Sequence, residues 1–199
     1  MNSKPVVLDY PDADLTLYPG WLTEPLATQW QRQIVAQTAW QQPVLKLFGK
    51  EHPTPRLVAW HGDEGASYRY SGHTHQPMPW TSVLEAMRER LQATINHPLN
   101  SVLLNLYRDG RDSMGWHSDD EPELGTQPVI ASVSLGASRR LDLRRKGQKR
   151  IEHSVQLEHG SLLVMRGPTQ HHWQHQVAKT QRCNTPRLNL TFRLINSPL

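Results

Sequence analysis

Cysteine is nearly absent from this sequence: Cys183 is the only one in 199 residues. An intrachain disulfide is excluded, and a reducing compartment, the cytoplasm, is the expected location. No apolar run approaches the roughly 20 residues that a membrane-crossing helix requires, so no membrane association is expected. The opening Met1-Asn2-Ser3-Lys4-Pro5 leads into only three apolar residues before Asp9, which argues against a signal-peptide core. Repeats, low-complexity tracts and an evident interdomain linker are also missing. One domain over 1–199, monomeric by default, is the expected organisation.

Acid is scarce where base is concentrated. The chain carries a net charge of +4, and between Arg139 and Arg150 seven of twelve residues are cationic while Asp142 alone is acidic. Such a run fits either a solvated turn or a positive rim that grips phosphates.

Apolar spacing predicts a first helix from an N-cap at Thr23, with Pro25 in its first turn and Leu22, Leu26, Trp30 and Ile34 toward the core. A second helix is predicted from Trp80 to about Thr94, with Ser82 and Glu85 in capping-box spacing. Between them, Val44 to Lys50 reads as one arm of a hairpin that returns through Arg56 to Trp60. From residue 101 short strands alternate with turns: Ser101–Tyr107, Ile130–Leu135, Ile151–Leu157, Ser161–Met165, His172–Val177 and Leu188–Ile195. The expected fold class is α+β, with two N-terminal helices flanking a jelly roll.

Eleven histidines and 18 acids in 199 residues give about one His-x-Asp/Glu by chance, and the sequence holds two, His61-Gly-Asp63 and His117-Ser-Asp119. Residues i and i+2 of an extended segment project to one side, so either pair could offer a metal two adjacent ligands. A second histidine from a distant strand would complete a two-His, one-carboxylate triad with open positions for substrate and O2. His175, within His171-His172-Trp173-Gln174-His175, is the candidate. In a strand, His171, Trp173 and His175 would share one face. Surface histidines on a basic edge are the bland alternative.

The C-terminal strand separates the two pairs. In Arg187-Leu-Asn189-Leu-Thr191-Phe-Arg193, one face is apolar and the other carries two Arg, an amide and a hydroxyl but no acid, which suits a dianion. Arg187 and Arg193 stand about 20 Å apart along an extended chain, close enough for inward-leaning side chains to bracket a five-carbon dicarboxylate. Asn105 and Tyr107 share a face of the strand ten residues before His117. Together these favour His117, Asp119 and His175.

At this point the sequence resembles the AlkB family of dioxygenases, in particular its animal nuclear DNA-repair branch and bacterial relatives. The markers run from about Pro43 to Ile195: Phe48-Gly49-Lys50, Pro55-Arg56, Gly62-Asp63, Tyr70-Ser71-Gly72, Asn105-Leu-Tyr107-Arg-Asp-Gly110, His117-Ser-Asp119-Asp120-Glu121, His172-Trp173-Gln-His175 and Arg187 through Arg193. The resemblance implies a double-stranded β-helix at about 101–195, with a nucleotide-recognition lid and supporting helix at about 43–100. It implies Fe(II) on His117, Asp119 and His175, with O2 and 2-oxoglutarate as cosubstrates. Asn105, Tyr107, Arg187, Asn189, Thr191 and Arg193 would bind 2-oxoglutarate, Arg187 taking its distal carboxylate. Tyr70 and the His117 ring would sandwich an extruded base, with Tyr68, Ser71, Asp120, Glu121 and Arg56 about the pocket.

Phe48, beside Gly49 and Lys50 at the predicted hairpin tip, would be a wedge in the base stack. The implied reaction is dealkylation of bases such as 1-methyladenine or 3-methylcytosine in DNA or RNA, coupled to decarboxylation of 2-oxoglutarate. The sequence departs from the family at His61, where many relatives have Tyr, and in a thin basic cluster, Lys179 and Arg182. An oxygenase acting on protein or a small molecule, and a basic nucleic-acid-binding module without turnover, are the alternatives.

Overall fold

The computed structural model describes residues 4–47, 49–66, 68–70 and 73–196, with backbone alone for 45–47, 50, 68–70 and 73–75. Strands β1 (Val6–Leu8) and β2 (Asp14–Tyr18) precede helix α1 (Glu24–Gln37). A hairpin of β3 (Val44–Leu47) and β4 (Lys50–Pro53), then β5 (Leu57–Gly62), β6 (Tyr68–Tyr70) and β7 (His73–His75), lead to α2 (Ser82–Ile95). Strands β8 (Ser101–Tyr107), β9 (Met114–His117), β10 (Ile130–Gly136), β11 (Arg139–Arg145), β12 (His153–Leu157) and β13 (Ser161–Arg166) follow. A four-residue helix α3 (Thr169–His172) then introduces β14 (Trp173–Val177), and β15 (Arg187–Arg193) closes the fold.

Two sheets face each other. The larger runs β1-β2-β13-β10-β15-β8-β5 and the smaller β12-β11-β14-β9. From β8 onward the antiparallel partners are nested: β8 with β15, β9 with β14, β10 with β13, β11 with β12. That is a long hairpin rolled upon itself, the double-stranded β-helix expected from the short-strand pattern.

The larger sheet is covered on both faces. One receives the helices, where Ala27, Ile34, Leu84, Met87 and Leu91 pack with Leu104, Leu190 and Phe192. The other meets the small sheet through Tyr107, Ile130, Leu163, Leu141, Leu143 and Trp173. This double coverage explains why β13 reads as a nearly unbroken apolar run from Leu162 to Met165.

Several expectations need correction. The cap of α2 is Thr81, whose hydroxyl accepts from Leu84 N, so Ser82 is the first helical residue. The helix ends where Asn96 turns left-handed (φ 49°). The return arm of the first hairpin is β4; β5 instead pairs along β8, so this part of the stretch 43–100 belongs to the large sheet. Strands β1 and β2, absent from the sequence expectations, extend that sheet by pairing through β13. The basic run is no simple turn, because its first seven residues form β11, where Arg139, Leu141, Asp142 and Leu143 are buried. His171 lies in α3 rather than on the strand face of Trp173 and His175, and its ring Nε2 donates to Thr126 O.

Candidate active site

His117 ends β9 and stands opposite His175 in β14, their ring centroids 4.2 Å apart. Asp119 follows as the chain leaves the strand. It is held by its backbone N donating to Gln170 Oε1 (2.9 Å), while Ser118 Oγ donates to Trp173 O (2.8 Å). One donor atom from each of His117, Asp119 and His175 falls within 4.8 Å of the others. The second His-x-Asp pair does not converge in this way. His61 is buried with Nδ1 2.7 Å from Pro79 O, whereas Asp63 is exposed and accepts from Trp80 and Arg88.

The protonation states suit a cation. Burial opposes charge on Asp119, but Arg193, His175 and His117 outweigh it and carry the carboxyl down to about 2. Its Oδ1 accepts from Arg193 Nη2 at 2.5 Å. Burial, reinforced by His117 and opposed by Asp119, lowers His175 to about 3, so its imidazole is neutral at physiological pH. Nδ1 of His117 lies 2.8 Å from Gly115 O, an acceptor only, so this nitrogen donates there and Nε2 is the one left to serve a metal. Two imidazoles and one carboxylate on one side of a cavity could hold Fe(II) with positions left open.

The cavity between the sheets continues from this triad along β15. Asn105, Tyr107, Arg187, Asn189, Thr191 and Arg193 all line it, so the polar face of β15 meets a closed interior rather than water. Arg187 is buried, with Nη2 donating to Ser134 Oγ (2.8 Å) and the Tyr107 ring centroid 5.3 Å from its guanidinium carbon. Among the described residues its Nε and Nη1 find no acceptor in hydrogen-bonding geometry. Burial lowers its pKa, with the neighbouring Tyr107 partly restoring it. A buried guanidinium with donors unspent at one end of the cavity, and a metal-ligand set at the other, fit a dicarboxylate such as 2-oxoglutarate.

Asn189 spends its amide nitrogen on Ser132 Oγ (2.8 Å) and Val133 O (3.1 Å) and therefore shapes the wall. Asn105 Oδ1 accepts from Arg56 Nε (2.8 Å), so Arg56 reaches the cavity wall through Asn105. Ser132, Ser134 and Gln170 were absent from the sequence expectations. The alternation Ser132-Val-Ser134, opposite Thr191 and Asn189 once β10 is paired with β15, is the available signal.

The expected base-recognition residues divide. Phe48 and Ser71 lie outside the described residues, as do the side chains of Lys50, Tyr68 and Tyr70. Gly49 is exposed with a positive φ of 77°, which glycine accommodates at a hairpin turn. Asp120 is exposed and pairs with Lys146 Nζ at 2.5 Å, and Glu121 occupies the N-cap position of the short turn Pro122–Leu124.

A jelly roll with a His-Asp-His cluster beside a polar, arginine-bearing strand defines a non-haem iron oxygenase class of site. The chain belongs to the 2OG-Fe(II) oxygenase superfamily, whose family model matches residues 14–193. It is 41% identical over 188 residues to alpha-ketoglutarate-dependent dioxygenase alkB homolog 3 of Mus musculus, covering 90% of this chain and 65% of that protein. It is 46% identical over 158 residues to DNA oxidative demethylase ALKBH2 of the same species, covering 76% of this chain and 66% of that protein. The chain thus spans just under two thirds of these relatives. The solved structure of OsALKBH1 superposes with a TM-score of 0.66 over 94% of this chain and 100% of its own, at 18% identity, a likeness of fold.

Proposed function

We propose that this chain catalyses oxidative dealkylation of N-alkylated bases, of the 1-methyladenine and 3-methylcytosine type, in DNA or RNA. The observation that carries the reading is the single cavity that joins the His117-Asp119-His175 cluster to the buried guanidinium of Arg187. In this assignment His117, Asp119 and His175 hold Fe(II), and Arg193 keeps Asp119 ionised and aimed at it. Arg187 and Tyr107 take the far carboxylate of 2-oxoglutarate, and Asn105, with its oxygen engaged by Arg56, lines the same cavity. When bound, the iron and 2-oxoglutarate supply the oxidation: O2 is consumed, 2-oxoglutarate becomes succinate and CO2, and a hydroxylated N-alkyl group leaves as an aldehyde. The protein's own work is orientation and exclusion of water.

The substrate class rests on the 41% and 46% identities to an alkB homolog 3 and to a DNA oxidative demethylase. Asp120, Glu121, Tyr68 and Tyr70 are assigned to the base, where an acid and aromatic rings favour a cationic methylated ring. Phe48, Gly49, Lys50, Ser71 and Arg56 are assigned to the lid that receives it. The enzyme is proposed to act as a cytoplasmic monomer.

The test incubates protein, Fe(II), ascorbate and 2-oxoglutarate with oligonucleotides carrying one 1-methyladenine or 3-methylcytosine, single- and double-stranded, beside Asp119→Ala. Loss of the mass of one CH2 group with the wild type alone supports the proposal. Decarboxylation of 2-oxoglutarate with every oligonucleotide unchanged would sink the substrate assignment and direct attention to proteins or small molecules.

A further inference from the structure

Arg139 opens β11 at the start of the basic run, yet it is only 3% exposed. Its guanidinium serves three backbone carbonyls: Nη1 donates to Asp109 O (3.2 Å), and Nη2 to Asp112 O (3.0 Å) and Ala178 O (2.7 Å). It thereby ties the turn between β8 and β9 to the segment after β14. The same two segments are joined by Gly110 N to Cys183 O (2.7 Å) and Thr180 N to Gly110 O (2.8 Å).

The guanidinium carbon of Arg139 also lies 5.7 Å from the centroid of the Tyr107 ring, and that of Arg187 lies 5.3 Å from the same centroid. Two buried guanidiniums therefore flank one phenol. Neither has an ion-paired carboxylate among the described residues: Asp112 is engaged by Arg108, and Asp109 by Arg111. Arg139 depresses the pKa of Arg187 further, behind the larger effects of burial and Tyr107, as one cation does to another nearby.

Two uncompensated positive charges in a closed interior are costly unless an anion completes the group. Arg187 lines the cavity whereas Arg139 does not, so Arg139 would act at one remove.

We infer that Arg139 is a positioning residue for the far carboxylate of the cosubstrate, holding Tyr107 in place and adding a second buried positive charge behind Arg187. The inference rests on the reading of this cavity as a 2-oxoglutarate site and goes further in giving the selection of a dianion to a residue outside the cavity wall. A purely structural Arg139 would staple two loops and nothing more. The two roles differ in what they do to charge selectivity. A staple affects all ligands of the cavity alike, whereas a charge distinguishes 2-oxoglutarate from 2-oxopentanoate, the keto acid of equal length that lacks the far carboxylate.

The test measures affinity for both keto acids by calorimetry on protein loaded with Mn(II) in place of Fe(II), so that no turnover intrudes. Arg139→Gln, which retains amide donors for the carbonyls but no charge, is expected to shrink the preference for 2-oxoglutarate by about tenfold, while Arg139→Lys stays within about threefold of the wild type. An undiminished preference in Arg139→Gln overturns the inference and leaves the cavity assignment standing. A wild type that binds no 2-oxoglutarate overturns both.

Should Arg139→Gln fail to fold, amide exchange on the wild type decides. 2-Oxoglutarate, and not 2-oxopentanoate, is expected to slow exchange across 108–113 and 178–183. Equal slowing by both ligands, or none, overturns the inference.

Discussion

Asp119→Ala is the natural inactive control for a site of this kind, and the structure expects it to do more than remove a ligand. Asp119 Oδ1 and Arg193 Nη2 are 2.5 Å apart, with side chains only 5% and 11% exposed. Deleting the carboxylate leaves the Arg193 charge behind in the same closed space. Breaking a buried pair from one side costs about 3–5 kcal/mol, more than such a pair contributes relative to well-packed apolar groups. For a domain of this size 1 kcal/mol corresponds to about 2–4 °C, so the melting temperature of metal-free protein should fall by about 6–20 °C.

Asp119→Asn keeps an oxygen for Arg193 to donate to and should fall by roughly half as much. Adding Arg193→Leu to Asp119→Ala removes the stranded charge and should recover part of the loss. Thermal unfolding in chelator of the wild type, Asp119→Ala, Arg193→Leu and the double variant, treated as a double-mutant cycle, reads the coupling directly. If Asp119→Ala unfolds within a degree or so of the wild type, no buried ion pair exists in solution and the account of how Asp119 is held ionised is wrong.

Arg187→Met is expected to raise the KM for 2-oxoglutarate by roughly 10- to 100-fold, the worth of charged hydrogen bonds, with the KM for oligonucleotide unchanged. Equal effects on both substrates would argue against Arg187 as the carboxylate partner. Burial lowers His61, despite the favourable Pro79 carbonyl, and lowers His175 to about 3. For a base held neutral in the fold, the contribution to stability is complete above the unfolded value near 6.5 and is lost as pH falls toward the folded value. Metal-free protein should therefore lose stability steadily from about pH 6.5 downward, and His61→Gln should flatten part of that slope in denaturant titrations. A Cβ on Gly110 would lie 2.0 Å from Thr180 O and 2.9 Å from Cys183 O. Gly110→Ala should therefore cost about 1–3 kcal/mol in chemical denaturation, and an unchanged midpoint would refute the close packing of these segments.

What the sequence made legible follows from how each residue solves its own problem. The β15 alternation was readable because Leu188, Leu190 and Phe192 face a helix layer while Arg187, Asn189, Thr191 and Arg193 face the cavity, so period two survives burial on both sides. Strand β9 was not: it is four residues long, contains Gly115, and its Met114–Trp116 alternation is too short to stand out. Strand β11 was hidden by its arginines. A guanidinium such as that of Arg139 can be buried only when fixed carbonyls receive it, and those carbonyls come from Asp109, Asp112 and Ala178, distant in sequence. The choice of His117 and Asp119 over His61 and Asp63 was legible only jointly with β15, since the local motifs are alike. Distance between Asp63 and the buried ring of His61 is a matter of packing, and spacing does not encode it.

The nested pairing of the eight core strands has a consequence for the life of the chain before it is an enzyme. The triad bridges the second strand of the roll and the last but one, and the arginine that steadies Asp119 comes from the last. Local structure cannot prefigure such a site; it exists only once the outermost turn of the roll has closed on the first strand. The ribosome must therefore deliver the chain through β15 before any iron can be held, and contacts this remote make closure slow compared with helix formation. Until that moment the histidines and Asp119 are ordinary solvated side chains, and loading with metal becomes a report that folding has finished.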